Sequence, residues 1–152
     1  MNSRQAGPEI LVHADMSLAL AEQLLQGVRD AAASEGTNVA AAVVDRGGQI
    51  VAVTRMDGTP SCGVPLAIDK AFSAAAMAAP TDAWAETTIP GRPDWGMSTA
   101  LGGRMVVYPG GLPLFYDSQL LGGLGVSGAE GHQDKSYAAA SVLAARLSET
   151  GQ

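Results

Sequence analysis

The sequence predicts an α+β domain in which a five-stranded, largely antiparallel sheet is flanked by helices. Three observations lead to this fold class. Helical periodicity occurs in well-separated segments, short β-branched segments joined by turn residues lie between them, and the order is α–ββ–α–(α)–βββ–α. No repeat or linker interrupts the 152 residues. We therefore expect one domain over residues 11–150, preceded by a flexible arm at residues 1–10.

The composition narrows the class of protein. Hydrophobic residues make up 47% and charged residues 16% of the chain, which excludes an intrinsically disordered protein. The net charge is −6 and Lys and Arg form no cluster, so neither nucleic acid nor a membrane surface is an expected partner. The apolar runs are too short to span a membrane and the N-terminus lacks a signal-peptide pattern, which predicts a cytoplasmic protein. So few charged groups also favour self-association.

The first half of the chain predicts a helix followed by a β-hairpin. Residues Asp15–Glu35 repeat apolar side chains at three- and four-residue steps, with Asp15 or Ser17 as the N-cap. Val39–Val44 is a continuous apolar run, which indicates a strand buried on both faces. Turn residues follow, and Gln49–Met56 is β-branched and alternating, so we expect it to pair with the first strand.

The second half predicts a central helix, a loop, a meander and a terminal helix. Pro65–Ala79 has an Ala-rich face that permits close packing. Thr81 can cap a short helix that runs to Glu86, and residues 89–101 have no clear period and predict a loop. The remaining predicted elements are the strands Arg104–Tyr108, Leu112–Tyr116 and Leu120–Val126 and the helix Gln133–Leu147, with Tyr137, Val142, Leu143 and Leu147 as its apolar set.

One motif matches a nucleotide-binding fingerprint without its context. Gly123–Gly128 has the spacing G-x-G-x-x-G, but the fingerprint also requires a second parallel strand and an acidic residue about 20 positions further on. Only a terminal helix remains after it. We therefore interpret these glycines as residues that ease a strand end into a helix, and we expect no dinucleotide cofactor.

Metal ligands and activated nucleophiles find little support in the spacing of residues. His13 and His132 lie far apart, and His132 is expected to interact with the start of the last helix. Cys62 is the single cysteine, which excludes an intramolecular disulfide and multi-cysteine metal centres. Because no base adjoins it in sequence, we expect a buried or idle thiol.

Charged residues in apolar surroundings are the best candidates for chemistry. Arg55 and Asp57 lie at the end of the second strand, and Lys70 stands in the Ala-rich helix. One interpretation is an ion-pair set that ties the strand to the helix. The other is a cationic pocket in which Arg55 holds a carboxylate and Lys70 acts as a point charge or as an acid or base. Gly110 and Gly111 would let backbone N–H groups approach the same anion.

Five short segments, taken together and in this order, carry a resemblance to a known family. They are VVDRGG at 43–48, RMDG at 55–58, AIDKAFSA at 67–74, GGLPL at 110–114, and GGLGVSG at 122–128 followed by Gln133 and Asp134. Together, over about residues 11–147, they resemble the haem-degrading domain family. That family includes GlcG-like and HbpS-like proteins and the C-terminal domain of PduO-type corrinoid adenosyltransferases.

The resemblance implies a profilin-like layered domain with five antiparallel strands, and homo-oligomers that range from dimers to octamers. It implies two kinds of function, because some members bind haem or other tetrapyrroles and others accompany the catabolism of small acids. Many relatives have histidine after the Gly-Gly of the first hairpin, where this chain has Gln49, a poor haem ligand. His13, Met56, Met77 and Met97 remain as candidate haem ligands.

Two functional predictions follow from the sequence, with a purely structural oligomer as a third alternative. The first is an intracellular GlcG-like protein that binds or converts a small carboxylated metabolite without a cofactor or metal, by tautomerisation, hydration or hydrolysis. Its predicted catalytic residues are Lys70, Arg55 and Asp57, and its predicted ligand contacts are Gly110, Gly111, Trp84, Trp95 and Asp134. The second is a haem or tetrapyrrole binder in which Arg and Lys side chains pair with the propionates.

Overall fold

The computed structural model describes residues 8–152. The predicted arm lies mostly outside the described residues, and residues 8–10 are exposed without regular structure. The helices are α1 (Leu18–Ser34), α2 (Gly63–Met77), the short α3 (Ala100–Gly103) and α4 (Gly131–Ala144), with 3₁₀ turns at Thr81–Trp84 and Met97–Thr99. The strands are β1 (Ala40–Asp45), β2 (Ile50–Arg55), β3 (Gly111–Tyr116) and β4 (Gln119–Ser127). None of these helices combines the length and the apolar composition of a membrane span.

The strands form one antiparallel sheet in the order β2–β1–β4–β3. The predicted hairpin is confirmed, and β1 is buried along its length up to Asp45, as its continuous apolar run indicated. Asp45 shapes the hairpin turn, because its carboxylate accepts the N–H groups of Gly47 at 2.9 Å and Gln49 at 2.8 Å. The fold is therefore α+β, with the first strand of the chain at the centre of the sheet.

The sheet has four strands among residues 8–152, and the predicted fifth strand, Arg104–Tyr108, is wrong. Met105 and Val106 are buried, as the apolar pattern indicated. Their segment, however, bonds to side chains of α2 and not to a neighbouring strand. The hydroxyl of Ser73 accepts the Val106 N–H at 2.9 Å and lies 3.0 Å from the Arg104 carbonyl oxygen. The Ser73 hydroxyl thus replaces the backbone group of a neighbouring strand as hydrogen-bond partner. A sequence pattern does not reveal such a replacement.

The two faces of the sheet are covered by different kinds of side chain. Helices α1 and α4 cover the large-residue face, where the buried side chains include Leu24, Leu25, Val28, Leu112, Leu114, Leu124, Val126 and Tyr137. Helix α2 covers the small-residue face, where the buried cluster consists of Ala40, Ala42, Val44, Ala67, Ala71 and Ala75. The bulk of the apolar core therefore lies on one side of the sheet only.

Glycines in β4 let α2 lie directly on the small-residue face. A Cβ atom at Gly123 would overlap the carbonyl oxygen of Ala71, and one at Gly125 would overlap that of Ala67. These are the first two glycines of the apparent nucleotide fingerprint, so their structural role is close helix packing. Of the three glycines, Gly128 is the one that lies between the strand end and the helix, as we expected of the motif, and its φ is +146°.

The helix ends lie close to their predicted positions, but the inward face of the last helix was predicted only in part. Ser17 is the N-cap of α1, and its hydroxyl accepts the Leu20 N–H at 3.2 Å. In α4, Tyr137 and Val142 are buried as expected. Leu143 is 78% exposed, so its assignment to the core is wrong. It follows Val142 by about 100° around the helix, which turns it towards solvent.

Candidate functional site

A cavity of about 240 Å³ lies where α2 and α4 begin, beside the end of β4. The side chains that matter for its chemistry are Cys62, Lys70, Tyr108, Ser127 and Asp134. Cys62 immediately precedes α2, Ser127 ends β4, and Asp134 lies in the first turn of α4. The cavity therefore faces the N-terminal ends of helices of 15 and 14 residues, where the helix dipole is positive.

A buried ion pair forms the floor of this cavity. Lys70 Nζ lies 2.9 Å from Asp134 Oδ2, and each side chain is only 2% exposed. The ammonium also donates to the Val126 carbonyl oxygen at 2.8 Å, and Asp134 Oδ1 accepts the Ala129 N–H at 3.0 Å. Desolvation of two charges offsets most of their attraction, so such a pair adds little net stability. Its place against a cavity favours a functional role.

Gly110 makes room for the ammonium group of Lys70. The glycine has φ of +125°, which L side chains rarely adopt. A Cβ atom there would lie 2.5 Å from Lys70 Nζ and 2.7 Å from the Val126 carbonyl oxygen. The turn between Tyr108 and β3 is therefore shaped around the charged end of the lysine.

The ammonium has one N–H donor without a hydrogen-bond acceptor among the described residues. A protonated lysine has three N–H donors, and Asp134 and the Val126 carbonyl oxygen take two of them. The ring of Tyr108 lies over the ammonium, with 5.3 Å between Nζ and the ring centroid. A ligand oxygen that enters beside this ring can accept the third N–H. The arrangement can thus hold an anionic oxygen at a fixed position.

The surroundings of the cavity raise the pKa of both Tyr108 and Asp134. Partial burial raises the pKa of Tyr108 above its usual value, and electrostatic interactions with Cys62, Asp134 and Asp69 raise it further. Tyr108 is therefore a hydroxyl donor at neutral pH. Burial also raises the pKa of Asp134, against the opposing effect of the hydrogen bond and charge of Lys70. Without Lys70, the carboxylate would be buried beside no positive charge.

Arg55 and Asp57 lie apart from Lys70. Arg55 pairs across the sheet with Ala40, which pairs in turn with Ser127 at the cavity. Two strand spacings, roughly 10 Å, therefore separate Arg55 from the cavity. Both predicted residues are exposed, and the three ion pairs found within residues 8–152 involve neither of them. The structure brings Lys70 together with Asp134 and not with the two charges of the second strand.

The remaining predicted ligand contacts occupy different surroundings. Gly111 lies beneath α2, and its N–H is taken by the Thr81 hydroxyl at 3.1 Å. Trp84 is partly buried, and its indole N–H has no partner among the described residues. Trp95 is 67% exposed. Neither tryptophan lines the Lys70 cavity.

Tyr108 and Cys62 line the cavity but were not predicted as site residues. Tyr108 directly precedes Pro109, Gly110 and Gly111. Because glycines allow other groups to approach the backbone closely, this position could have indicated a site residue. Cys62 is exposed, which contradicts a buried thiol. Its position just before an Ala-rich helix could have indicated a helix N-terminus. What the sequence could not indicate was the convergence of α2 and α4.

The candidate haem ligands are scattered over the molecule. Met56 follows β2, Met77 ends α2, and Met97 begins a 3₁₀ turn. His13 lies in a second cavity that Arg46 also lines, next to the hairpin turn. Gln49, in that turn, lies at the opposite end of β1 from the Lys70 cavity. None of these side chains lines the Lys70 cavity.

Comparison with known proteins identifies relatives over most of the chain. A sequence model of the family described as haem degrading protein, HbpS-like, matches residues 16–143. A 15.0 kDa protein of the dhaT–dhaS intergenic region of Citrobacter freundii is 30% identical over 122 residues, 80% of this chain and 86% of that protein. Klebsiella pneumoniae protein ORFY matches with a TM-score of 0.90 at 27% identity, over 93% of this chain and 98% of that chain. PduOC, solved in complex with haem, matches with a TM-score of 0.86 at 28% identity, over 90% of this chain and 99% of that chain.

Proposed function

The chain belongs to the HbpS-like family of haem-degrading proteins, and we propose that its Lys70 cavity binds a small carboxylated metabolite and converts it by acid–base chemistry. The observation that carries the proposal is the buried ammonium of Lys70. Two of its N–H donors are held by the protein, the Tyr108 ring lies over the ammonium, and the residue lines a cavity of about 240 Å³. A volume of that size suits a small acid, because pockets for drug-sized ligands hold roughly 300–1,000 Å³.

The charge balance of the cavity favours an anion. Lys70 and Asp134 neutralise each other, so the pair itself contributes little net charge. The N-terminal end of α2 then favours an anion, whereas the dipole of α4 is already met by Glu130 at its N-cap and Asp134 in its first turn. α2 begins without a side-chain cap, but the Gly63 N–H donates to the Pro60 carbonyl oxygen at 2.8 Å and Pro65 has no N–H, so the Val64 N–H is the donor that this helix end offers to a ligand. A ligand carboxylate can accept from Lys70 on one oxygen and from the Tyr108 hydroxyl on the other.

The residues in the cavity support proton transfer within one ligand. Lys70 gives a proton to the ligand and becomes a neutral amine beside Asp134, and it regains a proton from a second position of the same ligand. No proton or electron is gained or lost overall, which describes a tautomerisation. The N–H donors and Tyr108 stabilise the negative charge that develops on the ligand oxygen. While Lys70 transfers the proton, the Tyr108 hydroxyl holds the carboxylate, because Lys70 has a single N–H that the protein does not bind and Arg55 does not line the cavity.

The test is a binding screen of small mono- and dicarboxylates by calorimetry with a matched pair of variants. The chain has two lysines, Lys70 and Lys135. Lys135 forms a partly exposed ion pair with Asp82, which makes Lys135→Met the control for loss of a lysine. The variant Lys70→Met/Asp134→Asn removes both buried charges together, so neither remains unpaired.

We expect the double variant to bind the selected acid at least about tenfold more weakly, since a hydrogen bond to a charged group contributes roughly 1.5–3 kcal/mol. Lys135→Met should bind like the wild-type protein. Wild-type affinity in the folded double variant would contradict a ligand site at Lys70. If the acid binds but is not converted, the proposed binding site stands and the proposed catalysis is refuted.

Haem is the second candidate ligand, favoured by the relative PduOC in complex with haem. The Lys70 cavity is too small to enclose haem, so the group does not fit inside it. At the mouth, however, Cys62 and Tyr108 are side-chain types that ligate haem iron. Bound haem would supply a redox-active iron. A hemin titration should then give a saturable shift of the Soret band that Cys62→Ser or Tyr108→Phe removes, whereas a spectrum equal to free hemin would exclude this candidate.

Self-association is a further part of the proposal. Several large apolar side chains are more than half exposed in the single chain, among them Leu143 and Trp95 and the segment Ile10–Val12. Surfaces of this kind are typical of interfaces between subunits. Light scattering coupled to size exclusion should give a multiple of 15.4 kDa, and a mass of one chain at micromolar concentration would refute it.

A further inference from the structure

Tyr108 lies in a segment that a strand holds only at its last residue, where the Val126 N–H of β4 donates to the Gly110 carbonyl oxygen at 2.9 Å. Residues 104–110 connect the loop to β3, and their buried backbone groups need partners that a ladder would normally supply. For the residues before Gly110, two buried hydroxyls supply partners. Ser73 is 1% exposed and Thr81 is 2% exposed. A side-chain hydroxyl in such a place is held there by its backbone partners and costs free energy if they are lost.

We infer that Thr81 and Ser73 are positioning residues that fix Tyr108 over the ammonium of Lys70. The inference rests on the proposed function, because it assigns to these two hydroxyls the geometry of that ligand site. Thr81 donates to the carbonyl oxygen of Tyr108 itself at 2.6 Å and accepts the Gly111 N–H at 3.1 Å. It therefore holds both sides of the turn that carries Gly110.

Ser73 holds the other side of the same segment. Its hydroxyl accepts the Val106 N–H at 2.9 Å, two residues before Tyr108. Ser73 lies on α2 three residues after Lys70, so the lysine and the segment that covers it are attached to one helix. Thr81 follows α2 and carries the second attachment. The distance of 5.3 Å between Lys70 Nζ and the Tyr108 ring is thus set by two hydroxyls, neither of which lines the cavity.

The position of the Tyr108 ring decides which ligands can reach Lys70. The ring stands beside the free N–H, and a displacement of about 1 Å is enough to spoil a binding geometry. The phenol also reports its own position. Four charged or titratable groups face it: Lys70, Cys62 and Asp69 from α2 and its N-terminal end, and Asp134 from α4. Burial is the largest cause of the raised pKa of the phenol, so movement towards solvent and away from Cys62, Asp134 and Asp69 lowers that pKa.

The experiment compares Thr81→Val with Thr81→Ser. Valine keeps the shape and removes the hydroxyl, and serine restores it. The first readout is the titration of Tyr108 by tyrosinate absorbance, with the signal assigned by subtraction of the Tyr108→Phe variant. In the wild-type protein we expect the phenol to titrate above the usual value of about 10. In Thr81→Val it should move back towards that value, and in Thr81→Ser it should stay with the wild type.

The second readout is the affinity for the acid selected in the screen. We expect Thr81→Val to weaken binding about fivefold, which corresponds to the net contribution of roughly one hydrogen bond. Thr81→Ser should bind with the wild-type affinity. A folded Thr81→Val protein with the wild-type phenol titration would overturn the inference. If that variant does not fold, Ser73→Ala should shift the titration in the same direction, and an unshifted titration there would overturn it equally.

The two readouts separate this inference from the proposed function. The phenol titration requires no ligand, so a shift in Thr81→Val supports the positioning role even if no carboxylate binds. Absence of any carboxylate binding to the wild-type protein, with the shift present, refutes the proposed function alone.

Discussion

The two faces of the central sheet are packed by opposite means. The large-residue face buries leucine, valine and tyrosine side chains beneath α1 and α4, and the small-residue face sets α2 on glycines and alanines. Apolar area stabilises the first face. On the second face the area is small, but the backbones approach until a single Cβ would overlap. The difference indicates that one face supplies stability and the other fixes the position of Lys70.

Adjacent residues of β4 allow this comparison to be tested. Leu124 belongs to the cluster on the large-residue face, and Gly125 faces α2 on the other. One substitution at each position therefore perturbs one face and leaves the other in place.

The largest effect is expected from Gly125→Ala. The new Cβ would overlap the Ala67 carbonyl oxygen and lie 2.5 Å from the Ala71 nitrogen and 3.0 Å from the Lys70 Cβ. Backbone atoms cannot rotate away, so we expect the free energy of unfolding to fall by about 4 kcal/mol or more, above the usual range for overpacking. Ligand binding should fall as well, because Lys70 is displaced. Urea unfolding and calorimetry measure the two effects, and a stable variant that binds normally would contradict a positioning role for this face.

Leu124→Ala should cost less and change only stability. Leu124 is fully buried, and leucine-to-alanine substitutions in a packed core cost about 3 kcal/mol once the cavity is included. Urea unfolding gives the loss, and calorimetry on the folded fraction should give wild-type ligand affinity. If Leu124→Ala weakened binding as much as Gly125→Ala, the division of roles between the faces would be wrong.

Lys70→Met tests the one charged group that the small-residue face buries. Asp134 then lacks its counter-charge, and we expect a loss of about 3 kcal/mol at pH 7. Burial already raises the pKa of Asp134 in the folded protein. The stability that this group contributes is therefore present below its unfolded pKa of 3.8 and is lost as the pH rises through the folded pKa.

Without Lys70 that folded pKa rises further, so the stability of Lys70→Met should fall more steeply between pH 4 and pH 7 than that of the wild type. Urea midpoints across this range measure it. Lys70→Met/Asp134→Asn removes the titrating group and should show no such slope beyond that of the remaining carboxylates. Parallel profiles for Lys70→Met and the wild type would show that the pair is not electrostatically coupled.

Asp15→Asn belongs to neither face and should have the smallest effect. Asp15 accepts the backbone N–H groups of Arg46 and Met16, which lower its pKa. Its contribution to stability is present above its unfolded pKa of 3.8 and is lost as the pH falls through the folded pKa. The group is exposed, so we expect a change below about 1 kcal/mol and no change in ligand affinity. A larger loss in urea unfolding would show that the segment before α1 supports the core.

The sequence predicts the fold correctly for elements whose signal lies within the element itself. The periodicity of α1, its Ser17 cap and the continuous apolar run of β1 each predict the observed element. The fifth strand was wrong because the pattern of Met105 and Val106 records burial, and the hydroxyl of Ser73 that replaces a strand partner lies far away in the chain. Gly123 and Gly125 were interpreted as residues that ease a strand end into a helix, because their contact with α2 is a tertiary feature that the sequence does not show.

The candidate site could be predicted only in part, because its residues come together from distant parts of the chain. Lys70 was recognisable as a charge in an Ala-rich helix, but its partner Asp134 lies 64 residues further along the chain. Arg55 and Asp57 are nearer in sequence, which is why the charge pattern favoured them. The order of the strands places β1 between Arg55 and the cavity. Sequence distance therefore indicated the wrong counter-charge for Lys70.

The central claim is that the small-residue face holds the Lys70 ammonium with one N–H available to a small carboxylate. Nitrogen NMR of the two lysine side chains tests it most directly, with Lys135→Arg to assign the signals. We predict a protected Lys70 ammonium signal that shifts saturably with the bound acid, while the Lys135 signal stays in place. A Lys70 signal that no carboxylate moves, or one that moves together with that of Lys135, would contradict the claim.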